Sequence, residues 1–362
     1  MSKIKVGISV GDINGIGLEV ILKTFSNESM LSFCTPVLYC SSKVVSYHKN
    51  VIGKQDVVFQ NQKNAQRLNS QKLNVVNCWQ ENTDITLGEI NETGGKFAIK
   101  SLESACEDLK KKLIDVLVTA PIHKHAMELA GFPYKGHTEY LGNTFDGSDP
   151  LMFMVSPDIK VALVTNHLPL KEVSQKITKD LILKKLKQLN HSLKMDFGIE
   201  RPLIAVLGLN PHAGDEGSIG KEEKEIIRPA IVEAKKQGMM CMGPFPADGF
   251  FGSSTFKKYH AVLAMYHDQG LIPFKSLSFG NGTNFTAGLP IIRTSPDHGT
   301  GFDIVGKNMA DPSSFRTAIF AALDIFRQRS QFIEDHENPM RKRKTTSEKI
   351  NDKNEAAELP RE

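Results

Sequence analysis

The sequence predicts an α/β sandwich in which helices cover both faces of a largely parallel sheet. Short, almost continuously apolar runs alternate along the chain with longer stretches of mixed charge. Strands buried on both faces have the first composition, and helices on a sheet surface repeat apolar residues every three or four positions. The chain has 362 residues, more than one hydrophobic core usually contains, so we expect two lobes.

Five apolar runs are the candidate strands, and each ends beside a glycine, a proline or a histidine. They cover residues 5–10, 113–121, 160–167, 203–212 and 260–270. Two stretches between them, residues 171–194 and 220–238, have the composition and periodicity of amphipathic helices. This alternation is typical of an α/β fold. Residues 331–362 are strongly charged, and we expect them to form a flexible tail.

The composition excludes several classes of protein. Hydrophobic residues make up 40%, charged residues 24% and the net charge is +4, without a basic stripe interleaved with aromatics, so nucleic acid is not an expected partner. Five scattered cysteines without a CxxC pair argue against a disulfide framework and for a reducing compartment. The N-terminus does not resemble a signal peptide, and no apolar run reaches the roughly 20 residues that span a bilayer. We therefore expect a cytoplasmic protein without a membrane partner.

Three histidines follow three of the predicted strands. His167 ends the run 160–167, His212 ends the run 203–212, and His267 follows the apolar part of the run 260–270. Ligands of open α/β sheets bind outside the carboxyl ends of the strands, so these imidazoles are expected to meet there. Three nitrogen ligands would hold a divalent metal and leave positions free for water or substrate. The alternative is that each histidine is an ordinary loop or core residue.

Two aspartates accompany these histidines. Asp268 adjoins His267, and Asp248 lies in the segment FPADGFF. Each is a candidate catalytic residue that accepts a hydroxyl proton, a metal ligand or a carboxylate that orients an imidazole. The alternative is an ordinary turn or cap residue.

A second group of residues is suited to binding an anion. His137 and Thr138 lie at a predicted helix start, where backbone N–H groups favour a phosphate or a carboxylate. Lys275, Asn284 and Arg293 flank a glycine-rich stretch and form a candidate anion clamp. The alternative for these cations is a solvated surface role.

The glycine-rich segment GDINGIGLEV (11–20) directly follows the first predicted strand. It matches neither common nucleotide-binding pattern. Its two interpretations are a turn whose N–H groups hold a phosphate and a tight connection between a strand and a helix.

At these residues the chain resembles the 4-hydroxythreonine-4-phosphate dehydrogenases, the PdxA family of vitamin B6 biosynthesis. The resemblance extends over about residues 1–325 and rests on the motifs GDINGIGLEV, TAPIHKHA, GHTEYLG, TNHLPL, GLNPHAGDEGSIGKEE, FPADGFF, YHDQGLIPFK and NGTNFTAGLPIIRTSPDHGTGFDIVGK. It departs from the family pattern at Ile13, Asn14 and Leu18 of the first loop, and at His123, where the family often has asparagine.

The resemblance implies a two-lobed α/β/α sandwich of the isocitrate and isopropylmalate dehydrogenase type, with a central cleft and no Rossmann domain. Residues 1–135 and 285–330 would form the cofactor-side lobe, and residues 136–284 the lobe for metal, substrate and dimerisation. The family is homodimeric, with each active site completed by the partner subunit. Its members use NAD(P)+ and one divalent metal ion such as Zn, Mg, Co or Mn.

The resemblance also implies a role for individual residues. The metal ligands would be His167, His212 and His267, and the substrate-binding residues His137, Thr138, Lys275, Asn284 and Arg293. Gly299 and Asp303 would lie near the cofactor, in a segment that looks like the adenosine-binding loop of the larger relatives. The implied reaction is oxidation of 4-phosphooxy-L-threonine to a β-keto acid, which decarboxylates to 3-amino-2-oxopropyl phosphate.

Three other functions remain open at this point. A related dehydrogenase for threonate or erythronate 4-phosphate would use the same ligands and the same clamp. A non-redox metallohydrolase would use the three histidines to activate water and would not bind a nicotinamide. A metabolite-binding protein without catalysis would have little reason to keep three converging imidazoles.

Overall fold

The computed structural model describes residues 3–54, 56–145 and 149–337. The strands within those residues are β1 (Ile4–Ser9), β2 (Cys34–Cys40), β3 (Phe59–Gln62), β4 (Leu73–Asn77), β5 (Val116–Thr119), β6 (Leu151–Val155), β7 (Lys160–Leu163), β8 (Leu203–Leu207), β9 (Met240–Phe245), β10 (Ala261–Ala264), β11 (Thr283–Ala287) and β12 (Arg293–Pro296). The α-helices of the same residues are α1 (Gly17–Phe25), α2 (Met30–Phe33), α3 (Ser42–Val51), α4 (Glu92–Lys110), α5 (Lys124–Leu129), α6 (His137–Thr144), α7 (Leu170–Lys176), α8 (Lys179–Met195), α9 (Arg228–Lys236), α10 (Ala247–Gly252), α11 (His267–Ser278) and α12 (Ser313–Glu337).

One mixed sheet joins all of these strands, in the order β3-β4-β2-β1-β5-β12-β11-β6-β7-β10-β8-β9. The six strands from β3 to β12 run parallel to one another. The four strands from β7 to β9 are also mutually parallel. Between these halves, β11 and β6 pair antiparallel with each other and with their outer neighbours. The predicted α/β fold with a largely parallel sheet is confirmed.

The apolar runs of the sequence contain the strands that they predict. β1, β5, β7, β8 and β10 overlap the five runs, and every residue of β5 and β10 is buried. The predicted helix over 171–194 is two helices, α7 and α8. Thr178 separates them because its backbone is extended and its Oγ1 accepts a hydrogen bond from the amide of Leu181 at 3.2 Å, which caps α8.

The long helix α12 packs across the sheet with one apolar face. Phe315, Ala318, Ile319 and Ala322 follow the helical spacing and are fully buried. Near its end, the guanidinium of Arg329 pairs with Asp196 after α8, with an N–O distance of 2.7 Å. α12 extends to Glu337 and so includes the first residues of the segment predicted to be a tail. Residues 338–362 of that segment lie outside the described residues.

The domain limits taken from the resemblance stay a prediction. β11 spans the proposed boundary at residues 284 and 285, and the sheet is continuous through it. All five cysteines are free thiols. No helix in the part of the chain that the structure describes has the length and apolar character to cross a membrane.

Candidate active site

Hydrogen bonds tie together the segments that follow β7, β10 and β8, which are neighbours in the sheet. Oγ1 of Thr165 donates to the carbonyl oxygen of Met265 at 2.7 Å, which joins the ends of β7 and β10. The side chain of Gln269 accepts from the amide of Met265 at 2.7 Å and donates to the carbonyl oxygen of Gly208 at 2.6 Å. The three histidine-bearing segments therefore leave the sheet from one cross-linked edge.

A cavity of about 390 Å³ lies beside this edge, between the two halves of the sheet. Its walls come from β5, β6, β11 and β12, from α11 and the first residues of α5 and α6, and from the segments after β5, β7 and β12. The polar side chains that line it are Thr119, Lys124, His137, His167, His267, Lys275, Asn284, Arg293, Ser295, Asp297 and His298. Most of the predicted site residues therefore line one cavity.

His167 and His267 lie next to each other at this cavity, with their ring centroids 5.6 Å apart and their planes tilted by 41°. Asp268 accepts a hydrogen bond from Nδ1 of His267 at 2.7 Å. Because a carboxylate can only accept, the proton of a neutral His267 is on Nδ1 and the lone pair of Nε2 is free. Burial, the charge of Lys124 and the neighbouring His267 lower the pKa of His167, which favours its neutral form.

His212 does not line this cavity. It begins a run of five residues, 212–216, whose φ angles lie between 42° and 80°, so the backbone turns in the left-handed sense. Each non-glycine residue in that region costs about 1–2 kcal/mol. Among the residues that the structure describes, no three histidine, cysteine, aspartate or glutamate side chains are arranged to hold a metal ion. The pair His167 and His267 could supply two ligands of a divalent ion, and no third candidate ligand joins them among the described residues.

Arg293 is a buried cation without a carboxylate partner among the described residues. Its side chain is 3% exposed. It donates to Oγ1 of Thr119 at 2.6 and 3.0 Å, to Oγ1 of Thr286 at 3.1 Å and to Nδ1 of His137 at 3.2 Å. All of these acceptors are neutral groups, and burial lowers the pKa of Arg293 to about 10. A buried charge needs a counter-charge, so this end of the cavity is suited to an anion.

His137 adds a hydrogen-bond donor to the end of the cavity that contains Arg293. Burial and the adjacent Arg293 lower the pKa of His137 far below its usual range, so the ring is neutral. Because a guanidinium can only donate, Nδ1 of His137 is the acceptor and its proton is on Nε2. That Nε2 is buried and has no hydrogen-bond partner in the described part of the chain. An anion at Arg293 would supply an acceptor for it.

The other predicted substrate-binding residues fall into two places. Lys275 and Asn284 line the cavity, and Nζ of Lys275 is 3.4 Å from the carbonyl oxygen of Asp297. Thr138 lines an adjoining cavity of about 420 Å³, which shares His167 and Met152 with the first. Lys275 and Asn284 therefore share a cavity with Arg293, Thr138 lies on the adjoining one, and the role of these residues as an anion clamp stays a prediction.

Neither aspartate proposed as a proton acceptor lines the cavity of its own chain. Asp268 is hydrogen-bonded to His267. It can therefore orient that imidazole, which is one of the roles that the sequence left open. Asp248 is exposed on α10, which packs against the turn that carries His212. Within one chain the geometry therefore favours orientation for Asp268 and places Asp248 near His212.

The proposed cofactor residues lie in the segment after β12. Gly299 lines the cavity, whereas Asp303 is exposed, and its carbonyl oxygen accepts from Nζ of Lys307 at 2.7 Å. The ring of Phe302 stacks on His123, with centroids 5.4 Å apart. This segment therefore contacts the loop after β5 at the edge of the cavity.

The glycine-rich turn after β1 is a tight strand–helix connection. Its amide groups are already used, because Asn14 donates to Oδ1 of Asp12 and Gly15 donates to the carbonyl oxygen of Asp12. The amide of Ile16 donates to the carbonyl oxygen of Thr300 at 2.9 Å. The turn contacts the segment after β12, and these amides are not free to bind a phosphate.

The sequence did not predict three titratable residues of the cavity, Lys124, Asp297 and His298. All three belong to motifs that carry the resemblance, TAPIHKHA and SPDHG, but none of them follows an apolar run directly. Nδ1 of His298 bonds to the carbonyl oxygen of Gly299 at 3.0 Å, and its Nε2 has no partner among the described residues. The signal that could have identified these residues is their position in a motif next to the end of a strand.

Comparison with known proteins shows the family of the chain. The family model for the pyridoxal phosphate biosynthetic protein PdxA matches residues 32–322. The chain is 48% identical to a 4-hydroxythreonine-4-phosphate dehydrogenase of Bacteroides thetaiotaomicron, covering 94% of both chains. It is 40% identical to that of Sulfurihydrogenibium sp., covering 90% of this chain and 99% of the relative.

Solved structures of 4-hydroxythreonine-4-phosphate dehydrogenases are also similar to this chain. A 4-hydroxythreonine-4-phosphate dehydrogenase from Klebsiella pneumoniae has a TM-score of 0.78 and 31% identity, over 90% of this chain and all of the other. A terephthalate 1,2-cis-dihydrodiol dehydrogenase from Burkholderia xenovorans has a TM-score of 0.59 and 21% identity, and shares the fold. These comparisons confirm the resemblance seen in the motifs. The chain therefore belongs to the PdxA family of pyridoxal phosphate biosynthetic proteins, and it is an oxidoreductase.

Proposed function

We propose that the protein oxidises 4-phosphooxy-L-threonine with NAD(P)+ and a divalent metal ion, in the cytoplasmic synthesis of vitamin B6. The observation that carries the proposal is the buried, uncompensated Arg293 with the Nε2 donor of His137 beside it. A phosphate or carboxylate group of the substrate would supply the missing counter-charge and the missing acceptor. The names of the relatives supply the substrate, because they are 4-hydroxythreonine-4-phosphate dehydrogenases.

Binding at both charged ends would place the reacting carbon at the histidine pair. Arg293 and His137 form one anion site, and the cations Lys275 and Lys124 line other walls of the same cavity. Fixing both ends of a small substrate converts an encounter into an oriented complex, which can supply several kcal/mol of the barrier. The cavity of about 390 Å³ suits a four-carbon phosphorylated acid.

The metal ion would be held by His167 and His267 of one chain and by His212 of the partner subunit. Two observations support this arrangement: the close pair of imidazole rings, and the exposed position of His212 away from its own cavity. Asp248, on the helix beside the His212 turn, would enter the same site and could accept the hydroxyl proton. The protein would therefore act as a homodimer with shared active sites.

The chain's own residues would prepare the reaction as follows. A bound divalent ion supplies Lewis acidity that makes the substrate hydroxyl easier to deprotonate. Asp268 holds His267 with Nε2 free, and the lowered pKa of His167 keeps its ring available as a ligand near neutral pH. The segment with Gly299 and Asp303 would hold a nicotinamide cofactor, which would supply a hydride acceptor. The resulting β-keto acid would lose CO2 to give 3-amino-2-oxopropyl phosphate.

A substrate panel tests this proposal. The purified protein is assayed for NADH and NADPH formation with 4-phosphooxy-L-threonine, with D-threonate and erythronate 4-phosphates, and with unphosphorylated 4-hydroxythreonine. We expect turnover of the first compound only, lost with a chelator and restored by a divalent metal. Preference for threonate or erythronate 4-phosphate would assign the chain to that related reaction. Hydrolysis without any reduction of NAD(P)+ would refute the oxidoreductase.

A further inference from the structure

The turn that carries His212 is built around one buried carboxylate. Glu223 is 2% exposed, and its Oε1 accepts from the amides of Leu209 and Asn210, both at 2.7 Å. Its Oε2 accepts from Nδ2 of Asn210 at 3.0 Å. The carboxylate therefore accepts hydrogen bonds from Leu209 and Asn210, which directly precede Pro211 and His212.

The left-handed residues fold around the same carboxylate. Gly214, with a φ of 80°, lies so close that a Cβ added to it would be 2.5 Å from Oε2 of Glu223. Ala213 and Asp215, on either side, also have positive φ angles although they are not glycines. Non-glycine residues stay in this region only when their surroundings hold them, and such strain concentrates at functional sites.

Both ends of the turn are also tied to regular structure. At its start, the carbonyl oxygen of Gly208 accepts from Nε2 of Gln269, in the helix that begins with His267. At its end, the carboxylate of Glu216 accepts from the guanidinium of Arg228, where α9 begins. Glu223 itself lies in a π-helical turn, Glu223–Ile227, that continues into α9. The exposed imidazole of His212 therefore projects from a turn that is fixed on three sides.

We propose that Glu223 is a positioning residue that fixes the direction of the His212 imidazole toward the metal ion. This inference rests on the proposed function, in which His212 is a metal ligand. In Glu223→Gln one accepting oxygen becomes an amide nitrogen that only donates, so either the backbone amides of Leu209 and Asn210 or Nδ2 of Asn210 lose their acceptor. The left-handed residues can then relax to ordinary backbone angles. His212 would remain in the sequence but would no longer be held in a ligand geometry.

The test measures Co²⁺ affinity and the Co²⁺ absorption spectrum of Glu223→Gln, without any turnover assay. We expect a ten- to hundredfold weaker affinity, as for other residues that orient a metal ligand, and a changed spectrum. Amide hydrogen exchange in residues 208–218 should become faster, with other segments unchanged. Glu225→Gln, an exposed position on the same turn, is the matched control and should bind Co²⁺ like the wild type. Glu223→Asp, which keeps the charge, replaces Glu223→Gln if that variant does not fold.

A double variant separates positioning from general stability. If Glu223 acts through His212, adding Glu223→Gln to His212→Ala should not weaken Co²⁺ binding further. Independent, additive losses would overturn the inference, and so would a wild-type affinity in Glu223→Gln. If His212→Ala alone binds Co²⁺ like the wild type, the proposed ligand role of His212 fails, and this inference fails with it. If only His212→Ala weakens binding, the ligand role stands and the inference alone is wrong.

Discussion

The guanidinium of Arg293 donates a hydrogen bond to Nδ1 of His137 at 3.2 Å, and this one contact fixes the chemistry of both side chains. It forces the proton of His137 onto Nε2, and its acceptor, like the others of Arg293 in the described part of the chain, is a neutral group. Two donors therefore converge on one end of the cavity. The proposed binding of the substrate depends on this pair.

Replacement of Arg293 by lysine should raise KM for the phosphorylated substrate by ten- to a hundredfold, about 1.4–2.8 kcal/mol. Lysine keeps the charge but cannot donate to Thr119, Thr286 and His137 at once, so the fork geometry is lost. Initial rates over a range of substrate concentrations give KM. Arg327→Lys, in an exposed pair with Asp324, is the control. A KM within twofold of the wild type would argue against the anion site.

Asp268→Asn should weaken divalent metal binding by about tenfold or more, because a charged acceptor that orients a ligand imidazole is lost. The amide can still accept from Nδ1 of His267, so Asp268→Ala should weaken binding further. Competition with a chromophoric chelator measures both affinities. Asp158→Asn, an exposed position after β6, is the control. Equal affinities in all four proteins would show that Asp268 does not support the site.

Stability should fall as the pH is lowered from about 6.5 to 4, partly because of His48. Burial lowers the pKa of His48 from 6.5 to about 4, and its Nε2 donates to the carbonyl oxygen of Ile13 at 2.9 Å. Between these two values the unfolded chain binds the proton and the folded chain does not, so protonation favours unfolding. The full effect is on the order of 3 kcal/mol. It is absent above pH 6.5, where both states are neutral.

Urea unfolding at pH 7 and pH 5 measures this effect. His48→Gln, which keeps a donor and cannot be protonated, should lose less stability between the two pH values than the wild type. An identical loss in both proteins would show that His48 titrates normally in the folded state.

Gly95→Ala should destabilise the protein by about 1–3 kcal/mol, although alanine is the better helix former. Gly95 lies in α4, and an added Cβ would overlap the carbonyl oxygen of Ala126 in α5, the helix that begins with Lys124. Gly252→Ala, at the end of α10, has open space around the added Cβ and is the control. Thermal unfolding at one protein concentration compares the two variants. Equal midpoints would contradict the close packing of α4 on α5.

The sequence was informative where a single local pattern decides the structure. Apolar runs predicted β1, β5, β7, β8 and β10, because a strand buried on both faces needs that composition. Strand ends also predicted that His167 and His267 would be near each other. The antiparallel pairing of β6 and β11 could not be read this way, since it depends on contacts between distant segments.

The direction of the His212 side chain could not be predicted from the sequence, for a different physical reason. Local propensity does not favour left-handed angles at His212, Ala213, Asp215 and Glu216, and the buried Glu223 beyond the turn stabilises them. A tertiary contact overrides local preference here. The tautomer of His137 is equally invisible in sequence, because it depends on Arg293, far away along the chain.

Mixing two inactive variants tests the central claim most directly, that each reaction centre is made from two chains. His212→Ala and His267→Ala are unfolded together, refolded and assayed for NAD(P)H formation from 4-phosphooxy-L-threonine. If His212 of one subunit serves the cavity of the other, each mixed dimer has one complete site, and activity should return to about a quarter of the wild-type value. If all three imidazoles act within one chain, no mixed dimer has a complete site, and a refolded mixture as inactive as its two components would contradict the account.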